Sequence, residues 1–226
     1  MGWLFFLFQG ALQPGTLWAG PRAEYEHAAS HLQNFVSQLP YSEKILIQRT
    51  DFKKAATLPP SQRALIEKFH RLKTERAFWQ QAMDLQQALL DLPNTSKTRA
   101  EEEAGQIATR ALETAQTLTQ QYHVTRPAVF HNMLINIGLK KRGLCYHWAS
   151  DLLTALQKLP LKTYQLHWGV AHRGQLSEHN SVVVTSPGSL FDEGLVLDAW
   201  RHSGQLYWAR VKKDHYPWKE LPPEEL

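Results

Sequence analysis

Past Pro160 the hydrophobic period of this chain changes from three-and-four to two, and that switch limits the architectures open to it. Upstream, the apolar residues step like helices. Leu65, Phe69, Leu72, Arg76, Trp79, Met83, Gln86 and Leu90 alternate four- and three-residue steps after Pro59-Pro60 and Ser61, the spacing of a heptad seam. Leu92-Pro93-Asn94-Thr95-Ser96 reads as a turn, and Ala104, Ile107, Ala111, Ala115, Leu118 and Tyr122 form a second stripe. The two segments are predicted to pack as a long antiparallel helical hairpin. Ala28, Leu32, Phe35, Val36 and Leu39, closed by Pro40, predict an earlier helix, so residues 22–123 form one helical region.

Downstream the texture changes. Arg126-Pro127 opens a short helix that Gly138 stops, and Lys140-Lys141-Arg142-Gly143 leads into another over residues 144–159, with Leu144, Trp148, Leu152, Leu156 and Leu159 inward. Four strands are predicted over 164–171, 181–185, 195–200 and 206–211, with turns at Arg173-Gly174, Pro187-Gly188 and Ser203-Gly204. Helices first and an antiparallel sheet afterwards make the chain α+β, with residues 126–226 as a small core of helix plus sheet.

Residues 3–8 are an unbroken apolar run, and Leu17-Trp18-Ala19-Gly20 ends in small residues, so residues 1–20 resemble a secretory signal peptide. Gln9, Gln13, Pro14 and Gly15 interrupt the run too early for a bilayer span, which needs about 20 apolar residues. The expectation is export, to the periplasm or outside the cell, with peripheral envelope association as one outcome of an uncleaved segment. The competing reading is a buried terminal segment, and the lone cysteine fits either compartment.

At 226 residues and 43% hydrophobic content the chain can build its own core, and one cysteine excludes a disulfide scaffold. A net charge of +4 is too small to name a partner. Lys140-Lys141-Arg142 and Lys212-Lys213, near Tyr207, Trp208 and Tyr216, read as solvated surface, so no nucleic-acid partner is expected. His27 and His31 stand one helical turn apart without a third ligand beside them, and the chain has no HExxH, CxxC, GxGxxG or Gly-Lys-Ser/Thr motif. No metal or other cofactor is expected.

Chemistry concentrates after residue 126, where seven of the eleven histidines and the only cysteine lie. Cys145 falls in the first turn of a predicted helix, where unpaired backbone N–H groups and the positive end of the helix dipole stabilise a thiolate. A thiolate that attacks amides needs an imidazole to move its proton and an acceptor to orient that imidazole. His179, in Glu178-His179-Asn180, stands at the mouth of a valine-rich strand, and Asp198 interrupts the next apolar strand, where a charge is costly unless paired. Alternatives stand beside each. Cys145 reads equally as an inert buried side chain, His179 as a strand-end histidine bonded to a carbonyl, and Asp198 as a partner of Arg201 or Arg210. His172 is a rival base, His147 should point elsewhere on the helix, and Trp200, Trp208 and Trp218 should pack the sheet.

In this order, with Arg142-Gly143-Leu144-Cys145 opening a helix followed by Ala149, His179 before a strand and Asp198-Ala199-Trp200 on the next, the segment 126–211 resembles the transglutaminase-like branch of the papain-like cysteine hydrolases. Tyr146-His147-Trp148 and Ala199 depart from that family's usual residues. The resemblance implies a cysteine protease or amidase, or an acyltransferase, acting on an amide bond of a protein or peptide through a Cys145 thioester. It makes Cys145 the nucleophile, His179 the base and acid, and Asp198 the residue that orients His179. The alternative is a non-catalytic interaction module on the same fold, with the helical hairpin as its protein-binding arm.

Overall fold

The computed structural model describes residues 19–93, 97–222 and 224. The apolar run at residues 3–8 and the Asn94-Thr95-Ser96 part of the expected turn lie outside them. The architecture is α+β, with the helices mostly in the N-terminal part and one five-stranded antiparallel sheet in the C-terminal part. No helix among the described residues is long and apolar enough to cross a membrane.

Two compact units divide between Met83 and Asp84. The first holds α1 (Gly20–Gln38), α2 (Tyr41–Arg49), a 3-10 turn (Phe52–Thr57) and the start of α3 (Pro60–Leu90). Ile47, Ala55 and Ile66 form its core with Val36, Leu39, Leu46, Leu58, Leu65 and Phe69 around them. The Asp51 carboxylate accepts the Lys53 N–H at 2.9 Å and so caps the 3-10 turn.

The second unit begins in the last turns of α3 and continues through α4 (Lys97–Gln121), α5 (Ala128–Asn136) and α6 (Cys145–Leu156). Gln86 donates to the Glu101 carbonyl at 2.8 Å, so the end of α3 runs beside the start of α4 as a hairpin requires. Toward this end of α3 the buried residues are Phe78, Trp79, Ala82, Leu85 and Leu89, while Met83, Gln86 and Leu90 are half-buried. Leu72 and Trp79 of the expected seam are buried, and past Trp79 the buried line runs one residue earlier than expected, because spacing weighted to large side chains passes over the fully buried Ala82. The α4 stripe from Ala104 to Tyr122 is buried as predicted, and α4 packs on α6 and the sheet, so the texture change near residue 126 falls inside this unit.

The strands are β1 (Gln165–Ala171), β2 (His179–Thr185), β3 (Leu195–His202), β4 (Gln205–Arg210) and β5 (Lys219–Leu221), in the order β4-β3-β2-β1-β5. The fifth was not expected: three residues carry no readable period. Val183 pairs with Val196 and joins Ala171, Val211 and Trp218 in one apolar cluster. Val182, Val184, Leu195 and Leu197 alternate with them and are equally buried, while α6 lies against β1, β2 and β3. Both faces of the sheet's centre are thus covered, which explains why β2 reads as a continuous apolar run. Glu103 of α4 fixes the start of β1: its Oε2 accepts the N–H groups of Lys162 (2.9 Å) and Thr163 (2.8 Å) and the Thr163 hydroxyl (2.6 Å).

Candidate active site

The chain before Cys145 is held at every residue. His131 of α5 accepts the Thr125 N–H on Nδ1 at 3.1 Å, which leaves Nε2 protonated to donate to the Arg142 carbonyl at 2.9 Å. Arg142 reaches Asp151 of α6 at 2.9 and 3.0 Å. The Gly143 carbonyl accepts from Trp148 Nε1 at 3.0 Å. His147 turns its ring back along α6, and its Nδ1 accepts the N–H groups of both Gly143 and Leu144 at 3.2 Å. Burial and the nearby Arg142 lower the His147 pKa, so the ring stays a neutral acceptor. Gly143 has φ +123° and lies against the His131 imidazole, a place only glycine fills. The Cys145 N–H then stands in the first turn, without an intrahelical acceptor.

Across from it, β2 delivers His179 and β3 delivers Asp198. His179 Nε2 lies 2.7 Å from Asp198 Oδ2, with the side chains 2% and 1% exposed. The carboxylate requires a proton on Nε2, and Nδ1 is buried with no hydrogen bond of its own. With Nε2 committed to Asp198, that nitrogen is the one left to act on Cys145. Burial pushes the thiol pKa up, and the neighbouring His179, aided by Asn180, more than reverses this, leaving it below the ordinary thiol value. For His179 burial acts downward, and Asp198 and Cys145 outweigh it and raise the pKa to about 9. Cys145 itself is only half-buried, open to a reactant.

Asp198 stays ionised although buried: desolvation raises its pKa, and His179 and Arg201 together bring it below the usual carboxylate range. Its Oδ1 accepts the N–H groups of Trp200 and Arg201 at 3.0 Å each, where the register of β3 on β4 shifts between Asp198 and His202. Arg201 Nε donates to Oδ2 at 3.0 Å, and its other nitrogens grip Asp214 at 3.0 and 2.7 Å. Both readings of Asp198 therefore hold at once: it pairs with His179 and with Arg201. The rings of Tyr216, Trp200 and Trp218 stand 4.7, 4.8 and 5.2 Å from the His179 ring and keep water from it.

Asn180, unforeseen in the sequence, completes the sulfur's surroundings. Its Oδ1 accepts from Trp168 Nε1 at 2.8 Å, and its Nδ2 donates to Glu178 Oε1 at 3.1 Å and approaches Cys145 Sγ at 3.8 Å. The Glu178 carbonyl lies 3.7 Å from the same sulfur. The signal was present only as adjacency to His179. The rival base His172 instead meets Tyr216, with ring centroids 6.2 Å apart. The rings of His27 and His31 lie 4.0 Å apart, and among the described residues no group of three or more His, Cys, Asp or Glu gathers to hold a metal ion.

No protein-family model matches the chain, and no curated protein or solved structure matches it.

Proposed function

We propose that the protein is a cysteine hydrolase of the transglutaminase-like, papain-like kind, cleaving an amide bond of a protein or peptide or passing its acyl group to an amine. The observation that carries this reading is the row formed by Cys145, His179 and Asp198, in which each group perturbs the next. Nδ1 of His179 takes the thiol proton, and the sulfur forms a bond to the carbonyl carbon as the carbonyl π electrons move to oxygen. The Cys145 N–H donates to that oxyanion. Collapse restores the carbonyl, breaks the C–N bond and returns the proton from His179 to the leaving amine. The resulting thioester is attacked by water or a second amine, His179 taking the proton of the nucleophile and giving it to the departing sulfur. Asp198 holds the imidazole tautomer throughout. No step calls for a cofactor.

The test is thiol chemistry. Iodoacetamide should label Cys145 rapidly at neutral pH, and His179→Ala should slow labelling steeply. A peptide substrate should leave an acyl group on Cys145 detectable by mass, absent in Cys145→Ala. Slow labelling of the unaltered protein at neutral pH removes the nucleophile and leaves the interaction module. Export through residues 1–20 belongs to the same reading, and a mature chain shortened by about 19 residues is its measurement.

A further inference from the structure

Helix α5 presents an exposed apolar arc, whereas an ordinary surface helix turns its apolar side chains inward. Two of its polar residues face the protein: His131 is 1% exposed and doubly bonded, and Asn132 Oδ1 accepts from Trp200 Nε1 at 3.1 Å. Leu134 and Ile135 are half-buried, whereas the other large apolar residues face out: Val129 is 65% exposed, Phe130 41%, Met133 47% and Ile137, at the helix end, 61%. At about 100° per residue these four fall within one arc of about 100°, opposite His131. Leu139, 69% exposed, follows just beyond.

Charge selects the occupant of that face. No Asp or Glu stands between Glu113 and Asp151, so α5 sits in a stretch whose only charged side chains are Arg126, Lys140, Lys141 and Arg142. Arg142 is committed to Asp151, whereas among the described residues Arg126, Lys140 and Lys141 pair with no carboxylate. An apolar arc flanked only by cations matches acyl chains beneath anionic headgroups. A helical peptide partner would need a groove, whereas here the apolar side chains stand out from a single helix.

We infer that α5 docks the protein on an anionic phospholipid surface, with Phe130, Met133 and Ile137 at the level of the acyl chains and Arg126, Lys140 and Lys141 at the headgroups. The docking stands without the hydrolase reading. Resting on that reading, it places the candidate site at the bilayer, because His131 packs on Gly143, two residues before Cys145, and Asn132 holds Trp200, whose ring lies 4.8 Å from His179. The substrate class is then amide-bearing molecules held at a membrane surface.

The experiment is co-sedimentation of the full chain with vesicles of phosphatidylcholine alone and of phosphatidylcholine with about one third phosphatidylglycerol. Weak, reversible binding to the anionic vesicles is expected, falling as salt rises. Phe130→Gln with Met133→Gln should lower the bound-to-free ratio about tenfold, and Lys140→Gln with Lys141→Gln about threefold to tenfold on anionic vesicles alone. All four positions lie on α5's exposed side or its trailing loop, and the lysine pair keeps the test open should the apolar pair fold poorly. Undiminished binding by both pairs assigns attachment elsewhere, as to residues 3–8, and overturns the inference. So does failure of the unaltered chain to bind, or retention by an acidic peptide in place of vesicles. Iodoacetamide labelling in parallel separates the claims: lost vesicle binding with rapid Cys145 labelling sinks only the docking, and slow labelling with intact binding sinks only the hydrolase.

Discussion

His179 Nε2 and Asp198 Oδ2 meet at 2.7 Å where almost no water reaches either. This contact decides which imidazole nitrogen is free, and under the proposed chemistry it sets the pH range of activity. As pH rises through the lowered thiol pKa, Cys145 loses its proton while His179, raised to about 9, keeps its own. Above about 9 the imidazolium is lost and the leaving amine has no acid. Acyl transfer should therefore follow a bell whose acid limb lies below the ordinary thiol range and whose alkaline limb lies near 9. Asp198→Asn should move the alkaline limb down and cost about 10³–10⁴ in kcat, read from a pH–rate profile. An unmoved alkaline limb would show that Asp198 does not set the His179 pKa.

Asn180 should tune the sulfur rather than shape the fold. One Nδ2 hydrogen is directed to Glu178 and the other lies toward Sγ, 3.8 Å away, while Trp168 holds the amide oxygen. Removing the amide withdraws stabilisation from the thiolate, while Trp168 and Glu178 each lose a hydrogen-bond partner. In Asn180→Ala the pH midpoint of iodoacetamide labelling should rise by about one pH unit, with Asp198→Asn chemistry left as a separate effect. A midpoint identical to that of the unaltered chain would assign Asn180 to packing.

The parts of this site that follow from periodicity were legible in the sequence, and the parts that depend on side chains crossing between segments were not. Cys145 at a helix start, His179 at a strand mouth and Asp198 as a charge inside an apolar strand each follow from where a local pattern begins or breaks. Arg201 was legible only as an alternative partner to His179, because the register shift in β3, which folds the chain back so that residues 198 and 201 meet while Asp198 still reaches His179, leaves no mark on strict alternation. Asp214 lies in a segment without a period, and β5 is too short to have one. His131 carried no signal in the sequence, since its partners at 125 and 142 are set by how α5 lies on the loop before Cys145. The α3 seam held at Leu72 and Trp79 and slipped by one residue only past Trp79, because alanine carries little weight in a spacing count, although Ala82 is fully buried.

Glu103 makes a stability prediction independent of the chemistry. Burial raises its pKa, and three hydrogen bonds from Lys162 and Thr163 more than offset that, so the folded value lies below the ordinary carboxylate value. Its contribution is present above the unfolded pKa and is lost as pH falls through the folded one. Glu103→Ala should destabilise by about 1–3 kcal/mol at pH 7, because two backbone N–H groups before β1 lose their acceptor. The deficit should shrink in acid, which urea midpoints at pH 7 and at about pH 3 will measure.

Gly143 links stability to the candidate chemistry. At φ +123° a side chain is strained whatever its size, and a Cβ there would overlap the His131 imidazole, itself fixed between Thr125 and Arg142. Neither ring nor loop can yield without breaking a bond that holds the approach to Cys145. Gly143→Ala should cost about 2–4 kcal/mol in a denaturant melt. It should also slow Cys145 labelling, because the N–H groups of Gly143 and Leu144 are held by His147, and displacing them shifts the start of α6 away from His179. A second change that makes room, His131→Ala on the Gly143→Ala background, should recover part of the labelling rate while leaving the chain no more stable. Recovery of both quantities together would mean that the overlap alone mattered, and equal loss in both variants would mean that the backbone angle did.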